Sequence, residues 1–327
     1  MSEDLLKQTP KGLYCPVGDF YVDPIKRVKR AVITHAHMDH ARQGSENYLC
    51  SSTSEKLLKI RLGKKTYIQS LNYGKKSKIG NAQVSFHPAG HILGSAQVRI
   101  EVGGEVWVVS GDYNPAKDIT CEPFEPVTCH CFITECTFGL PVYRWRPQVE
   151  LMKEINEWWK RNAEMGKPSV MLAYSLGKAQ RVIAGLDPGI GPIMAHEAVI
   201  PYLPAHREYG VVLPEVKTCR NEIPKEQFRK AIVIIPPAAD ESKWHKALRK
   251  GRTAMVSGWM TTRGAKKQSK VESGFALSDH ADWNGILMAI QSTGANKILA
   301  THGNTDALVR YLNGMGYESG RLGQKSE

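Results

Sequence analysis

An α/β architecture interrupted by a second α/β layer is what this 327-residue sequence predicts. Three observations point to it. Short β-type apolar runs dominate the first part, and three candidate strands end in a histidine or an acid. From Pro147 onward, helix-type and strand-type segments alternate, and late in the chain the first texture returns. We therefore expect a discontinuous first domain over residues 1–146 and 256–327, with an inserted α/β domain over 147–255.

The elements follow in order. RAVITHA (30–36) is an apolar run that stops at histidine, and AQVRIEVGGEVWVVSGD (96–112) reads as two alternating strands joined by Gly103-Gly104. CFITECTFG (131–139) is a further strand ending in polar residues. QVELMKEINEWWKRNA (148–163) sets Leu151, Ile155, Trp158 and Trp159 on one helical face. PSVMLAYS (168–175), KAIVIIPP (230–237) and TAMVSGW (253–259) read as buried strands, and a helix begins near Gly177. That alternation predicts parallel strands. After Gly264, GFALSDHADW (274–283) leads into a helix, KILATHG (297–303) is a strand ending in histidine, and ALVRYLNGMG (307–316) closes as a helix near Gly314.

Composition narrows the class. No run approaches the ~20 apolar residues of a membrane span, and Leu5-Leu6 is followed at once by polar residues, so we expect an intracellular protein without a signal peptide. Seven cysteines, an odd number, argue against a secreted disulfide scaffold. The spacing of Cys121, Cys129, Cys131 and Cys136 matches no zinc ribbon, so reduced core thiols are expected. The net charge of +12 is unevenly spread. Residues 56–78 carry eight Lys/Arg and no acid, and residues 225–270 carry twelve against three acids. Either cluster alone reads as a solvated face; two of them beside a ligand-rich motif favour a polyanionic substrate.

That motif is THAHMDHA (34–41), three histidines and an aspartate within six positions. His35 and His37, two apart, point the same way from an extended segment, while Asp39 and His40 follow in a turn and can face a second ion. Imidazole and carboxylate suit Zn²⁺ or Mn²⁺. His91 in a glycine-flanked loop, Asp112 at the end of a hydrophobic strand and His302 at the end of another complete a set large enough for two ions.

On these residues the chain resembles the metallo-β-lactamase fold, an αββα sandwich. THAHMDHA is similar to its HxHxDH signature, His91 and Asp112 to its next ligand motifs, and Asp23 in FYVDP to the aspartate that orients the site. Glu135 in TECTFG, His280 in SDHAD and His302 in LATHG resemble motifs A, B and C of the β-CASP nucleases, and the 147–255 insertion falls where that family carries its β-CASP domain. KGLYCPVGDFYVDP, PAGHILGSAQVRIE, TECTFGLPVYRW and SGWMTTRGA look closest to the bacterial ligase-associated DNA exonucleases.

The resemblance implies a two-metal hydrolase, with zinc as the expected metal and manganese as the alternative. His35, His37 and His91 would hold one ion, Asp39, His40 and His302 the other, and Asp112 would bridge them. His280 would serve as general acid, its pKa raised by Glu135. The implied activity is hydrolysis of phosphodiesters by a metal-activated hydroxide. It would be a 5′→3′ DNA exonuclease preferring single strands, acting in the bacterial cytoplasm in repair beside an ATP-dependent ligase and a helicase. Ser175 and Lys178, at a helix start, could hold a 5′-phosphate, with Arg263, Lys266 and Lys267 further along the strand. Trp259 and Trp283 could stack on bases, but core packing is the expected role. Histidine at position 302 is usual in RNA-processing β-CASP members, so an RNA-cleaving enzyme is the alternative. Against it, the 25 residues after His302 lead us to expect none of the C-terminal extensions of those relatives. A small-molecule metallo-hydrolase and a non-catalytic phosphate-binding module are weaker readings. The basic runs oppose the former and seven ligands the latter.

Overall fold

The computed structural model describes residues 4–219, 224–239 and 248–324. The chain divides into two compact units, Met1–Arg144 with His280–Glu327, and Trp145–Asp279. In the first, β1 (Lys7–Thr9), β2 (Gly12–Cys15), β3 (Phe20–Val22), β4 (Arg30–Val32), β5 (Asn47–Ser51) and β6 (Ile68–Leu71) form one sheet in that order. It is antiparallel through β3 and parallel from β3 to β6, with α1 (Glu55–Leu62) crossing between β5 and β6.

A second sheet begins with β7 (Ser77–Ile79), β8 (Ala82–Pro88), β9 (Ala96–Val102), β10 (Glu105–Val109) and β11 (Cys131–Cys136). Gly103 and Gly104 both take positive φ (57° and 90°) and join Val102 to Glu105, the two-residue hairpin expected of a Gly-Gly pair. Along β10 and β11, alternate residues go to opposite faces. Trp107, Val109, Cys131 and Ile133 pack against the first sheet's Leu13, Phe20, Val22 and Val32, while Val106, Val108 and Phe132 join a separate core. Burial on both faces is why these strands read as continuous apolar runs.

The second unit opens with α2 (Gln148–Glu164), whose Leu151, Ile155, Trp158 and Trp159 are buried. Trp159 is fully enclosed and donates its indole N–H to the Lys230 carbonyl at 2.9 Å. Then come β12 (Ser169–Leu172), α3 (Lys178–Ala184), β13 (Ile193–Ala195), α4 (Leu203–Glu208), β14 (Lys217–Thr218), β15 (Ile232–Ile235), β16 (Arg252–Val256), α5 (Arg263–Gln268) and β17 (Ser273–Phe275). The sheet order is β14-β13-β15-β12-β16-β17, with every pairing parallel. The expected return at residue 256 is displaced. β17 pairs with β16, Val256 opposite Phe275, and Phe275 packs edge-on to Trp158, so this unit runs on to Asp279.

Back in the first unit, Asp282 caps α6 (Trp283–Thr293) by accepting the Gly285 N–H at 2.7 Å, and Gly294 ends it in the left-handed conformation. β18 (Lys297–Gly303), α7 (Thr305–Gly314) and β19 (Glu318–Arg321) follow. The helices bury Ile286, Ile290, Leu308 and Leu312 on the outer core of the second sheet, whose order is β19-β18-β11-β10-β9-β8-β7. This is the αββα sandwich expected. Because β10, β11 and β18 run parallel, Asp112, Glu135 and His302 gather at one edge of that sheet. All seven cysteines are free thiols, and among the described residues no helix is long and apolar enough to cross a membrane.

Candidate metal centre

THAHMDHA leaves β4 as a tight loop closed by the Ala41 N–H on the His37 carbonyl at 2.8 Å. His37 Nδ1 lies 3.1 Å from both His35 Nε2 and His91 Nε2, and Asp112 Oδ2 lies 3.5 Å from His35 Nε2 and 3.7 Å from His91 Nε2. These four donors come from three separate loops and lie within 4.8 Å of one another. Zinc–ligand bonds of about 2.0–2.1 Å set tetrahedral donor separations near 3.3 Å, so the set fits one Zn²⁺-sized ion.

Glycines make this convergence possible. Gly111 sits at φ 56°, and a Cβ there would stand 2.7 Å from Thr34, so only glycine brings the Asp112 loop against the histidine loop. His91 is held where Ser95 Oγ accepts the backbone N–H groups of His91 and Ile92, at 3.1 and 3.2 Å.

Asp23 organises the outer nitrogens. Its Oδ1 accepts the Thr34 N–H at 2.8 Å, while Oδ2 accepts the Thr34 hydroxyl at 2.6 Å and faces His40 Nδ1 at 2.7 Å. Thr34 Oγ1 also stands 3.0 Å from His35 Nδ1. With the hydroxyl proton committed to Asp23, His35 Nδ1–H donates to Thr34, so one carboxylate fixes the tautomers of two rings, and each ring, once neutral, presents its Nε2 lone pair inward. Asp23 achieves this in a left-handed backbone conformation, φ 44°, which aspartate tolerates better than most residues.

Asp112 faces both halves of the site: Oδ2 looks to His35 and His91, while Oδ1 lies 3.4 Å from His40 Nε2. Asp39 Oδ2 is 3.7 Å from the same nitrogen, and the His302 ring is 5.9 Å from the His40 ring. This second set is more open, with Asp39 and His302 exposed. Its chemistry suits a cation. Burial disfavours a charged His40, yet Asp112, Asp23 and Asp39 together raise its pKa to about 10. Burial, with His40, His37 and His91 alongside, holds His35 well below the ordinary histidine value.

Beside the candidate ligands, His280 Nδ1 is 3.0 Å from Glu135 Oε1, and its Nε2 is 3.9 Å from Asp112 Oδ2. Burial opposes the charge on Glu135, but His280 and the Thr137 N–H, which donates to Oε2 at 2.7 Å, outweigh it and hold the carboxyl below its usual range.

The first unit thus brings together Asp23, His35, His37, Asp39, His40, His91, Asp112, Glu135, His280 and His302. The proposed phosphate contacts lie in the other unit. There Lys178 is buried, its ammonium 2.9 Å from Asp279, and Gln180 accepts the Gly177 N–H at 2.7 Å. A cation and an amide already engaged in this way do not make the anion site expected from the helix start. Ser175 is half-buried, and Arg263 and Lys267 are exposed. The Lys266 side chain lies outside the described residues, as do residues 240–247 of the second basic run. Trp283 is core, packed edge-on to Tyr311, whereas Trp259 is 43 % exposed. Sequence reasoning passed over Thr34, although its hydroxyl stands one residue before the first histidine. Arg61, counted only within the first basic run, donates its Nε–H to the Ala36 carbonyl at 3.3 Å and ties that run to the histidine loop.

No family model matches this sequence. It is 30 % identical over 319 residues to a "Probable DNA ligase" of Opitutus terrae, covering 97 % of this chain and 31 % of that protein. An "Endoribonuclease ysh-1" of Neurospora crassa is 31 % identical over 125 residues, 37 % of this chain and 14 % of its own length. An "RNase J-like protein" of Methanocaldococcus jannaschii is 26 % identical over 181 residues, 48 % of this chain and 43 % of its own. The chain therefore spans less than half the length of these relatives. A crystal structure of a protein of unknown function from Enterococcus faecalis shares the fold, with a TM-score of 0.62 at 11 % identity over 91 % of this chain and 80 % of that one.

Proposed function

The chain belongs to the β-CASP family of metallo-β-lactamase-fold proteins, and we infer from that premise that it is a metal-dependent nuclease cleaving phosphodiester bonds. The observation that carries this reading is Asp112, whose two oxygens face two separate groups of ligands beneath a histidine–glutamate pair.

Two divalent ions, zinc or manganese, would supply Lewis-acid polarisation of the phosphoryl group and a nucleophilic water. His35, His37 and His91 would hold one, Asp39, His40 and His302 the other, with Asp112 between them. The chain's remaining tasks are orientation and proton transfer. Asp23 keeps His40 directly, and His35 through Thr34, in the ligating tautomer. An ionised Glu135 at 3.0 Å stabilises the protonated His280 ring, whose Nε2 gives its proton to the departing 3′-oxygen. The exposed lysines of residues 56–78 would guide the strand.

The favoured substrate is DNA, cleaved 5′→3′ from single-stranded ends in repair beside a ligase. Support comes from the 319-residue similarity to a ligase-named relative, against shorter matches to ribonuclease-named ones. RNA is the second reading, favoured by histidine at position 302. Matched DNA and RNA strands labelled at either end, with and without 5′-phosphate, test both in Mn²⁺ and Zn²⁺. Mononucleotide release from the 5′ end of DNA is expected, whereas RNA cleavage without DNA cleavage would replace the first reading with the second.

A further inference from the structure

β11 and β18 pair in continuous parallel register from Cys131–Lys297 to Glu135–Thr301, and the next pair is Cys136–Gly303. His302 is thus an extra residue on β18, a bulge. In an unbroken strand it would follow Ile298 and Ala300 onto the helix-covered face, where both are buried. Instead it takes a left-handed conformation, φ 50°, and its ring lies 5.9 Å from that of His40. Such a backbone persists only where its neighbours over-determine it.

Cys136 supplies that constraint. Its thiol donates to the His302 carbonyl at 3.0 Å and lies 3.5 Å from the Thr301 carbonyl, while its own carbonyl accepts the Asn304 N–H at 3.3 Å. Gly303 follows at φ 90°, where any Cβ would collide with that same Cys136 carbonyl. Cys136 has no exposed surface, so it reaches neither solvent nor substrate.

We infer that Cys136 is a positioning residue, its thiol pinning the bulge that aims His302 at the second ion. This rests on the assignment of His302 to that ion. The hydrogen bond requires a short side-chain donor, which serine provides and alanine does not.

The test titrates the demetallated chain ion by ion with Zn²⁺, comparing wild type with Cys136→Ala, Cys136→Ser and Gly303→Ala. Cys136→Ala should weaken the second ion about 10- to 100-fold, the range for residues that orient ligands, and change the first less than about threefold. Cys136→Ser should stay close to wild type. Gly303→Ala reaches the same bulge by steric displacement and should mimic Cys136→Ala. The first-ion affinity reports that each variant is folded. Unchanged second-ion binding in Cys136→Ala, or equal weakening by alanine and serine, would overturn the proposal. A wild-type chain that binds one ion only would remove the two-ion reading itself, visible before any variant is compared.

Discussion

Replacing Asp23 by asparagine exchanges one carboxylate oxygen for an amide, yet it should disable half of the proposed metal centre. Oδ1 serves a single donor, the Thr34 N–H, so the amide oxygen stays there and the NH₂ takes the place of Oδ2. Oδ2 accepts from both Thr34 and His40. The NH₂ must donate toward His40 Nδ1, which moves the ring proton to Nε2, the atom that faces Asp112 and Asp39. The ring then presents a proton where it should present a lone pair. Flipping the amide instead sets two donors against each other at the Thr34 N–H, at a cost of about 1–3 kcal/mol. Loss of such an orienting carboxylate typically lowers metal affinity about 10- to 100-fold, or about 1.4–2.7 kcal/mol. The loss should fall on the second ion, because His35 reaches Asp23 only through the Thr34 hydroxyl, which can turn. Calorimetric titration of the demetallated Asp23→Asn protein with Zn²⁺ measures it directly. Two ions bound with wild-type affinities would refute the reasoning.

Further outcomes follow from the same geometry. With His40 raised to about 10 in the ion-free chain, its proton stays on at neutral pH and must leave when an ion binds. Second-ion affinity should therefore rise roughly tenfold per pH unit, levelling above pH 10, and titration at pH 8 in buffers of different ionisation enthalpy should count about one proton released. His280→Ala should lower the cleavage rate about 10²- to 10⁴-fold on DNA but far less on a bis-nitrophenyl phosphodiester, whose leaving group needs no proton. Equal losses on both would remove the acid role. Because Glu135 is depressed, its stabilisation is present above the usual carboxylate pKa and lost as pH falls through the folded value. Removing His280, the chief lowering partner, should move acid unfolding to higher pH. Lys64→Glu with Lys65→Glu, both exposed, should reduce the log–log salt slope of oligonucleotide binding by about 1.4–1.8, read by anisotropy.

Much of the candidate site's geometry was legible because its proposed ligands stand where apolar runs stop. His35 after Val32, Asp112 after Val109 and His302 after Ala300 all read as loop residues on a sheet edge, and the Gly103-Gly104 hairpin followed from turn chemistry alone. What could not be read depends on partners distant in sequence. Lys178 looks like a free cation until Asp279, 101 residues later, is placed 2.9 Å away. The unit boundary was set early because β17 is three residues long, contains a glycine and is only partly buried, so its pairing with β16 leaves no periodic signal. The bulge at His302 depends on Cys136 and is equally invisible in the local pattern.

The most direct test follows DNA cleavage as metal is added in measured equivalents to the demetallated chain, with Asp112→Ala alongside. Activity should appear only with the second equivalent and be absent from Asp112→Ala at any loading. Full activity at one equivalent, or in the alanine variant, would contradict a centre built around a shared Asp112.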